Sequence, residues 1–284
     1  MHPVVRLFRP FTLMPPIVGG VMFSLLALKS TVTFSHIPLI VTNGFLLACA
    51  NAVSNILNQI HDRDIDAAHP KKSRRPIPSG QISVDLAMSI VFILTVFTVG
   101  ASFTIFGLYY GVLMSAILTF AWLYSSPPAR LRSRFLLSNA AIATPRGGLG
   151  IMCAYSAFRP PLTAEILLPA VAFGIYVFGA NTFKDFDDLE ADMKYGVRSL
   201  PAVLGRRLAT AVSLPFVFVP YFFMFVFPDV FPHQMVMAFP LALAIMVLGI
   251  KDPELNGRGE LMWMLFYIHY MMLMITYVVP KVIA

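Results

Sequence analysis

The sequence predicts an all-α, polytopic membrane protein with nine transmembrane helices. Of its 284 residues, 58% are hydrophobic and only 12% are charged, and the mean hydropathy is +0.76. A soluble domain, by contrast, carries charge on about a quarter of its residues. The apolar residues recur along the whole chain in blocks of about 20, the length with which a helix crosses the hydrocarbon core. We therefore predict a single transmembrane domain over residues 1–284.

The nine predicted spans lie at residues 11–29, 37–60, 84–105, 108–125, 135–156, 163–183, 208–227, 234–250 and 259–279. The first is read as a span and not as a signal peptide, because MHPVVRLFRP is not followed by a small-residue cleavage site. Only Phe106 and Gly107 separate spans 3 and 4, which predicts a tight antiparallel pair. Proline and glycine within spans 1 and 5 are compatible with a bundle, where neighbouring helices and waters satisfy the freed backbone groups.

The placement of basic residues predicts the orientation. Most of the 21 Lys and Arg residues fall at the N-terminus and in the loops after spans 2, 4, 6 and 8, whereas the other side has Lys29, Arg159 and Lys281. By the positive-inside rule the basic side is cytoplasmic. We therefore expect a cytoplasmic N-terminus and a C-terminus on the opposite side. The net charge of +7 then reflects membrane topology, and no nucleic-acid partner is expected.

Two short acidic segments stand out because each begins where an even-numbered span ends. In the first, Asn58, Asp62 and Asp66 are spaced four residues apart, so a helix would carry all three on one face. Like charges at this spacing repel one another and weaken a helix unless a cation lies between them. The first segment therefore predicts a cation site at the membrane surface.

The second segment repeats this pattern on the same side of the membrane. Asp185, Asp188 and Asp192 are spaced so that a helix would again present them on one face. Mg²⁺ prefers oxygen ligands and is often held by one or two carboxylates, with substrate phosphates and water completing its shell. Two carboxylate rows facing across a cavity would suit a diphosphate bridged by two or three Mg²⁺ ions. Arg75 and Arg198, which lie near the two rows, would bind diphosphate oxygens.

Both segments resemble the paired signatures of the UbiA superfamily of intramembrane prenyltransferases. NQIHDRDIDAAHPKKSRRPIPSGQIS is similar to N-x3-D-x3-D followed by a basic R-P-x-P-x-G stretch. KDFDDLEADMKYGVRSLPAVLG is similar to K-D-x2-D-x3-D-x3-G-x-x-[ST]-L-P. Gln59 stands where many members of the superfamily have Asp, and the faces of the two acidic rows are unaffected by this difference.

The resemblance implies a helical bundle around a central cavity, with the two motifs facing each other at its cytoplasmic mouth. An isoprenoid diphosphate would bind there through Mg²⁺. The metal ligands implied by the resemblance are Asn58, Asp62, Asp66, Asp188 and Asp192, with Asp185 assisting. It also implies that Arg9 and Lys184 contact the diphosphate.

Three further residues are candidates for the substrate site. Tyr124, at the cytoplasmic end of span 4, is our choice for stabilising an allylic carbocation through its ring face. Arg146 lies about halfway along span 5, where a charge is expensive and indicates a functional site. We assign Arg146 to substrate binding, through either the acceptor's polar group or the diphosphate, and Asn139 to the same wall.

The predicted activity is transfer of a polyprenyl group, geranylgeranyl by preference, to a lipophilic acceptor in lipid or quinone biosynthesis, with release of pyrophosphate. A divalent-cation transporter or channel with an acidic cytoplasmic mouth is the alternative. The acceptor stays open. YSSPPARLR resembles the chlorophyll-synthase-like branch, KDFDDLEAD resembles archaeal enzymes that geranylgeranylate a glycerol phosphate lipid, and a quinone precursor is equally compatible.

Overall fold

The computed structural model describes residues 2–283 and consists almost entirely of helices. Within those residues, eight helices are long and apolar enough to cross a membrane. Together with a ninth long helix we label them, in chain order, α1 (Pro10–Thr31), α2 (Phe34–His61), α3 (Val84–Phe106), α4 (Leu108–Ser125), α5 (135–156), α6 (Ala164–Asp185), α7 (Arg206–Val226), α8 (His233–Lys251) and α9 (Gly259–Ile283). Shorter helices lie at Pro3–Phe8, Arg63–Ala68, Leu189–Lys194 and Leu200–Leu204.

The all-helical fold is confirmed, but the predicted count of nine spans is not, because α5 differs from the other long helices. It consists of Phe135–Ala143, a π-helical turn at Thr144–Leu149 and a final segment at Gly150–Ser156. The sequence TPRGG in that turn interrupts the apolar run with a charge. Helix α5 packs inside the bundle against α1, α4 and α6.

The helix ends follow from local sequence. Ser83 caps the start of α3, since its Oγ accepts a hydrogen bond from the backbone N–H of Leu86 at 3.2 Å. Gly107, with φ of 84°, separates α3 from α4, and a residue with a side chain would be strained in that conformation. The predicted tight turn between spans 3 and 4 is therefore confirmed.

The most buried span is α6, at the centre of the bundle, and α3 lies at its edge. In the apolar stretch of each helix that would cross the membrane, 67% of the residues of α6 are buried, compared with 22% of those of α3. The outer helices expose large side chains such as Phe92 and Phe225, as contact with lipid requires.

Helices α5 and α6 cross at small residues. A Cβ added to Gly147 would lie 2.5 Å from the Cα of Gly174 and 2.6 Å from the carbonyl oxygen of Phe173. Small residues at such crossings allow helix backbones to approach closely inside a membrane. This crossing fixes the position of the π-helical turn that carries Arg146.

Candidate active site

A cavity of about 480 Å³ lies between α1, α2, α4, α5, α6 and α9. Its polar end is formed with the connections that follow α2 and α6, which contribute Lys72 and Asp188 among others. Phe23, Ile151 and Met274 line apolar parts of its wall. The cavity thus offers the two environments that an amphiphile with a charged head and a hydrocarbon tail requires.

The first acidic motif keeps helical spacing across the end of α2. The backbone N–H of Asp62 donates to the carbonyl of Asn58 at 2.9 Å, and that of Asp66 donates to the carbonyl of Asp62 at 2.7 Å. The amide of Asn58 also donates to the carboxylate of Asp62. The row predicted from the spacing is therefore present, and both aspartates are buried.

The second motif continues from α6 into the short helix Leu189–Lys194. Asp185 ends α6, Asp188 directly precedes the short helix, and the N–H of Asp192 donates to the carbonyl of Asp188 at 2.8 Å. All three aspartates are buried. One carboxylate oxygen of Asp185 has no hydrogen-bond partner among the described residues.

One guanidinium connects the two motifs. Nη1 of Arg132 lies 2.6 Å from Oδ1 of Asp62, and its Nη2 lies 3.1 Å from Oδ1 of Asp192. Arg130 is a second partner of Asp62, at 3.2 Å. Because Arg132 contacts both carboxylates, Asp62 and Asp192 are separated by only one side chain, although they are far apart in sequence.

The remaining motif aspartates also have basic partners. Arg75 lies 2.6 Å from Asp66, and Lys184 lies 2.7 Å from Asp185. Lys72 pairs with Asp188, and Nε2 of His69 lies 3.5 Å from the same carboxylate. Within residues 2–283 no group of three or more His, Cys, Asp or Glu side chains is arranged to hold a metal ion. In this arrangement the basic side chains neutralise the carboxylates.

Burial and charge change the pKa values of the second motif in opposite directions. Burial raises the pKa of Asp192 to about 7, and neighbouring Asp185 and Asp188 act in the same direction against the opposing charge of Arg132. Burial also disfavours the charged form of Asp188, but the ammonium of Lys72, together with the charges of Arg132 and Lys184, outweighs burial and lowers the pKa of that carboxyl. Because several carboxylates lie close together, the binding of a strong positive charge is favoured at this end of the cavity.

Three candidates from the sequence lie together in the wall of the cavity. Tyr124, Lys184 and Arg9 all line it. Nζ of Lys184 donates to the hydroxyl of Tyr124 at 3.1 Å and lies 5.8 Å from the centre of its ring. Arg9 lies between the helix Pro3–Phe8 and α1, where its backbone has φ of 54°.

The other predicted substrate residues divide into two groups. Arg146 lines the cavity, and its Nη2 lies 3.4 Å from Oδ1 of Asn51. Asn139 is buried away from the cavity, where its amide donates to the carbonyl of Phe178 at 2.7 Å and so links α5 to α6. Arg198 is exposed, and its backbone pairs with Arg134 outside the cavity. The structure therefore does not bring Asn139 or Arg198 to the site.

Sequence reasoning misses the role of several basic partners. It treats Arg130 and Arg132 only as topological charge, and it does not select His69. These residues are hard to recognise because they belong to loops rich in basic residues. Nothing in the sequence of such a loop distinguishes a basic residue that pairs with a buried carboxylate from one that only sets the membrane topology. The segment ARLRS after α4 is such a loop.

A model described as the UbiA prenyltransferase family matches residues 13–274. The bacteriochlorophyll synthase 34 kDa chain of Chloroflexus aurantiacus is 32% identical over 158 residues, which cover 55% of this chain and 49% of that protein. Digeranylgeranylglyceryl phosphate synthase of Methanobrevibacter smithii is 27% identical over 225 residues, covering 77% and 75%. The chain thus matches about half the length of the first relative and three quarters of the second.

The fold is also similar to a solved structure. A UbiA homologue from Archaeoglobus fulgidus, bound to GPP and Mg²⁺, superposes with a TM-score of 0.74 at 20% sequence identity. The match covers 99% of this chain and 100% of that chain. The two proteins therefore share the same helical architecture throughout.

Proposed function

This chain belongs to the UbiA prenyltransferase family, and from that premise we propose that it transfers a prenyl group from an isoprenoid diphosphate to a lipophilic acceptor within the membrane. The reaction breaks the bond between the allylic carbon and the diphosphate and releases pyrophosphate. We propose a geranylgeranyl donor, since a related synthase has a digeranylgeranylglyceryl product in its name. The alternative of a cation transporter finds no support in the matches described above.

The observation that carries this proposal is the meeting of the two motifs at the polar end of the cavity. Asp62 and Asp192 contact the same guanidinium, that of Arg132, at 2.6 and 3.1 Å. Arg132 itself lines the cavity, as do Asn58 of the first motif and Asp188 of the second, so the two motifs meet at one end of an apolar chamber. That is the arrangement needed to hold a diphosphate while its hydrocarbon chain lies in the cavity.

The residues at this end fit magnesium by their chemistry. Carboxylate and amide oxygens are hard ligands, and an oxygen of Asp185 has no hydrogen-bond partner among the described residues. The residues that would hold Mg²⁺ are Asn58, Asp62, Asp66, Asp188 and Asp192. When bound with the substrate phosphates, Mg²⁺ supplies Lewis-acid neutralisation of the leaving pyrophosphate.

The chain's own cations bind and orient the diphosphate. Arg9, Lys72, Arg75 and Lys184 line the polar end of the cavity, and guanidinium and ammonium groups form strong charge-assisted hydrogen bonds with phosphate oxygens. Three of these four are paired with motif aspartates, so binding of a diphosphate exchanges those carboxylates for phosphate oxygens. Arg9 has no carboxylate within 4.0 Å among the described residues.

The apolar cavity protects the allylic cation once pyrophosphate has left. Exclusion of water prevents simple hydrolysis of the donor. The ring of Tyr124 lies at the polar end, next to Lys184, where the reacting carbon would be adjacent to the diphosphate. An aromatic face stabilises a cation by about 0.5 to 2 kcal/mol.

We also propose the orientation predicted from the basic loops, with the N-terminus and both motifs on the cytoplasmic side and the C-terminus opposite. This requires α5 to cross the membrane as a ninth span of one domain. Its 22 helical residues, at 1.5 Å each, extend about 33 Å, enough for the hydrocarbon core. Cysteine-accessibility labelling at Lys71 and at Arg159 would test it, since the two positions should be labelled from opposite sides.

To test the activity, purified protein in detergent is incubated with geranylgeranyl diphosphate, MgCl₂ and candidate acceptors, and the release of pyrophosphate is measured. We expect wild-type protein to release pyrophosphate only with Mg²⁺, and Asp62→Ala to release none. Asp64→Ala is the matched control, because the Asp64 side chain is 80% exposed. Equal rates for wild type and Asp62→Ala would contradict the proposal.

A further inference from the structure

Arg146 is a cation inside the bundle that the proposed donor chemistry does not use. It lines the cavity and is exposed to it, on the π-helical turn of α5. Among the described residues no carboxylate lies within 4.0 Å of its guanidinium. Its one side-chain hydrogen bond, to Oδ1 of Asn51, is long at 3.4 Å. Because a guanidinium carries five N–H donors, most of its binding capacity is directed at the cavity.

The neighbours of Arg146 are held in place by backbone contacts. The amide of Asn51 donates to the carbonyl of Thr12 at 2.8 Å, which orients its oxygen toward the guanidinium. The hydroxyl of Tyr270 donates to the carbonyl of Arg146 itself at 3.1 Å. The crossing of Gly147 and Gly174 fixes the same turn against α6. The backbone that carries Arg146 is thus held firmly, while its guanidinium lies in the cavity wall without a protein counter-ion among the described residues, which indicates that a ligand supplies the negative charge.

Depth separates this cation from the diphosphate end. Asn51 and Asn58 both lie on the continuous helix Ile37–His61, seven residues apart. At 1.5 Å per residue Asn51 is about 10 Å deeper in the bundle than the first residue of the acidic row. Six other Arg and Lys side chains line the cavity, and five of them pair with carboxylates, whereas Arg146 lies beside Asn51 without such a pair among the described residues. The second substrate of a transfer reaction must enter that space to reach the prenyl chain.

We propose that Arg146 binds the anionic headgroup of the acceptor, a carboxylate or a phosphate. This assignment deepens the proposed function and rests on it, because it identifies the acceptor as an amphiphile with a negative charge. The planar guanidinium suits two-point binding of either oxyanion. An uncharged acceptor would leave the guanidinium without a counter-ion inside the membrane, which is costly. The site therefore selects for charge as well as for lipid solubility.

The test compares the binding of charged and uncharged probes to the full-length protein in nanodiscs. The phosphate arm uses geranylgeranylglyceryl phosphate and the uncharged geranylgeranylglycerol. The carboxylate arm uses 4-hydroxyphenylacetate and its methyl ester. We expect wild-type protein to prefer the anion by about tenfold or more in at least one arm, equivalent to about 1.4 kcal/mol. The arm that does so identifies the source of the anion.

Three variants connect this preference to Arg146. Arg146→Gln should lose the preference, and Arg146→Lys should retain part of it because the charge remains. Arg159→Gln makes the same chemical change at an exposed arginine outside the cavity and should behave as wild type. Absence of any anion preference in wild type would overturn the proposal even if Arg146→Gln fails to fold. An undiminished preference in Arg146→Gln would overturn it too.

Donor binding, measured in the same samples, separates the two proposals. Affinity for geranylgeranyl diphosphate with Mg²⁺ should fall less in Arg146→Gln than affinity for the anionic probe does. The opposite order would assign Arg146 to the diphosphate and overturn the acceptor site. If wild-type protein binds no donor but keeps its anion preference, the transferase assignment falls and the anion site stands.

Discussion

Arg132 donates to Asp192 across 3.1 Å, from the loop after α4 to the short helix after α6. The same guanidinium is 2.6 Å from Asp62, so one cation compensates a carboxylate of each acidic motif. All three side chains are at least nine-tenths buried. Without a positive charge between them, the two carboxylates would face each other in a region of low dielectric. The position of Arg132 thus explains how the two acidic motifs can lie close together through contacts within the protein itself.

We first predict that Arg132→Gln destabilises the metal-free protein by about 3 to 5 kcal/mol, as expected when one partner of a buried ion pair is removed. Adding MgCl₂ with pyrophosphate should raise the melting temperature of the variant more than that of wild type, because the divalent cation replaces the missing charge. Arg63→Gln is the control, since that arginine is exposed and pairs only at the surface. Equal increases in wild type and Arg132→Gln would contradict the prediction.

The second prediction concerns Asp188, which lines the cavity and pairs with Lys72. Asp188→Asn keeps the size of the side chain but removes the charge that would bind the metal. We expect pyrophosphate release to fall by about 100-fold or more, since metal neutralisation of the leaving group is worth several kcal/mol. Glu190→Gln, at an exposed position two residues away, should retain activity. The prediction fails if both variants turn over at the same rate.

The acidic rows are predictable from sequence, whereas their partners are not. Asp62 and Asp66 follow from helical periodicity, because spacing of four residues fixes the face on which they lie. Arg132 lies in an irregular loop, and no local rule relates such a loop to residues far away in the chain. Its place between the motifs depends on how α4, α5 and α6 pack.

Two polar residues of α5 show how much polarity inside a span can predict. A polar residue inside a span indicates function, which places Asn139 in the substrate wall, but its amide instead satisfies the carbonyl of Phe178 on α6. Polarity alone does not distinguish a helix-to-helix hydrogen bond from a ligand contact. Arg146 does line the cavity, because a full charge at that depth is too costly to bury against lipid or apolar side chains, and its assignment to substrate binding stays a prediction.

The third prediction separates the two roles that Tyr124 could have. Its hydroxyl accepts a hydrogen bond from Lys184, and its ring faces the polar end of the cavity. If the ring stabilises a cation, Tyr124→Phe should keep most of the turnover number, while Tyr124→Leu loses up to about 30-fold, the equivalent of about 2 kcal/mol. Tyr109→Leu, at an exposed position on α4, is the control. Equal losses in Tyr124→Phe and Tyr124→Leu would show that the hydroxyl is the important group.

The fourth prediction tests whether the crossing of α5 and α6 positions Arg146. In Gly147→Ala the new methyl group would lie 2.5 Å from the Cα of Gly174, and because that neighbour is backbone, the helices must separate. We expect a loss of stability of about 1 to 3 kcal/mol, as for other overpacked sites, together with weaker binding of the anionic probe. Gly100→Ala is the matched control, because a Cβ there meets no atom within 4 Å and alanine favours a helix. Thermal unfolding and probe titration on both variants measure the two effects separately. If Gly147→Ala is as stable as Gly100→Ala and binds the anion as wild type does, then α5 is not held by this contact, and the firmness of the Arg146 site must come from Tyr270 and Asn51 instead.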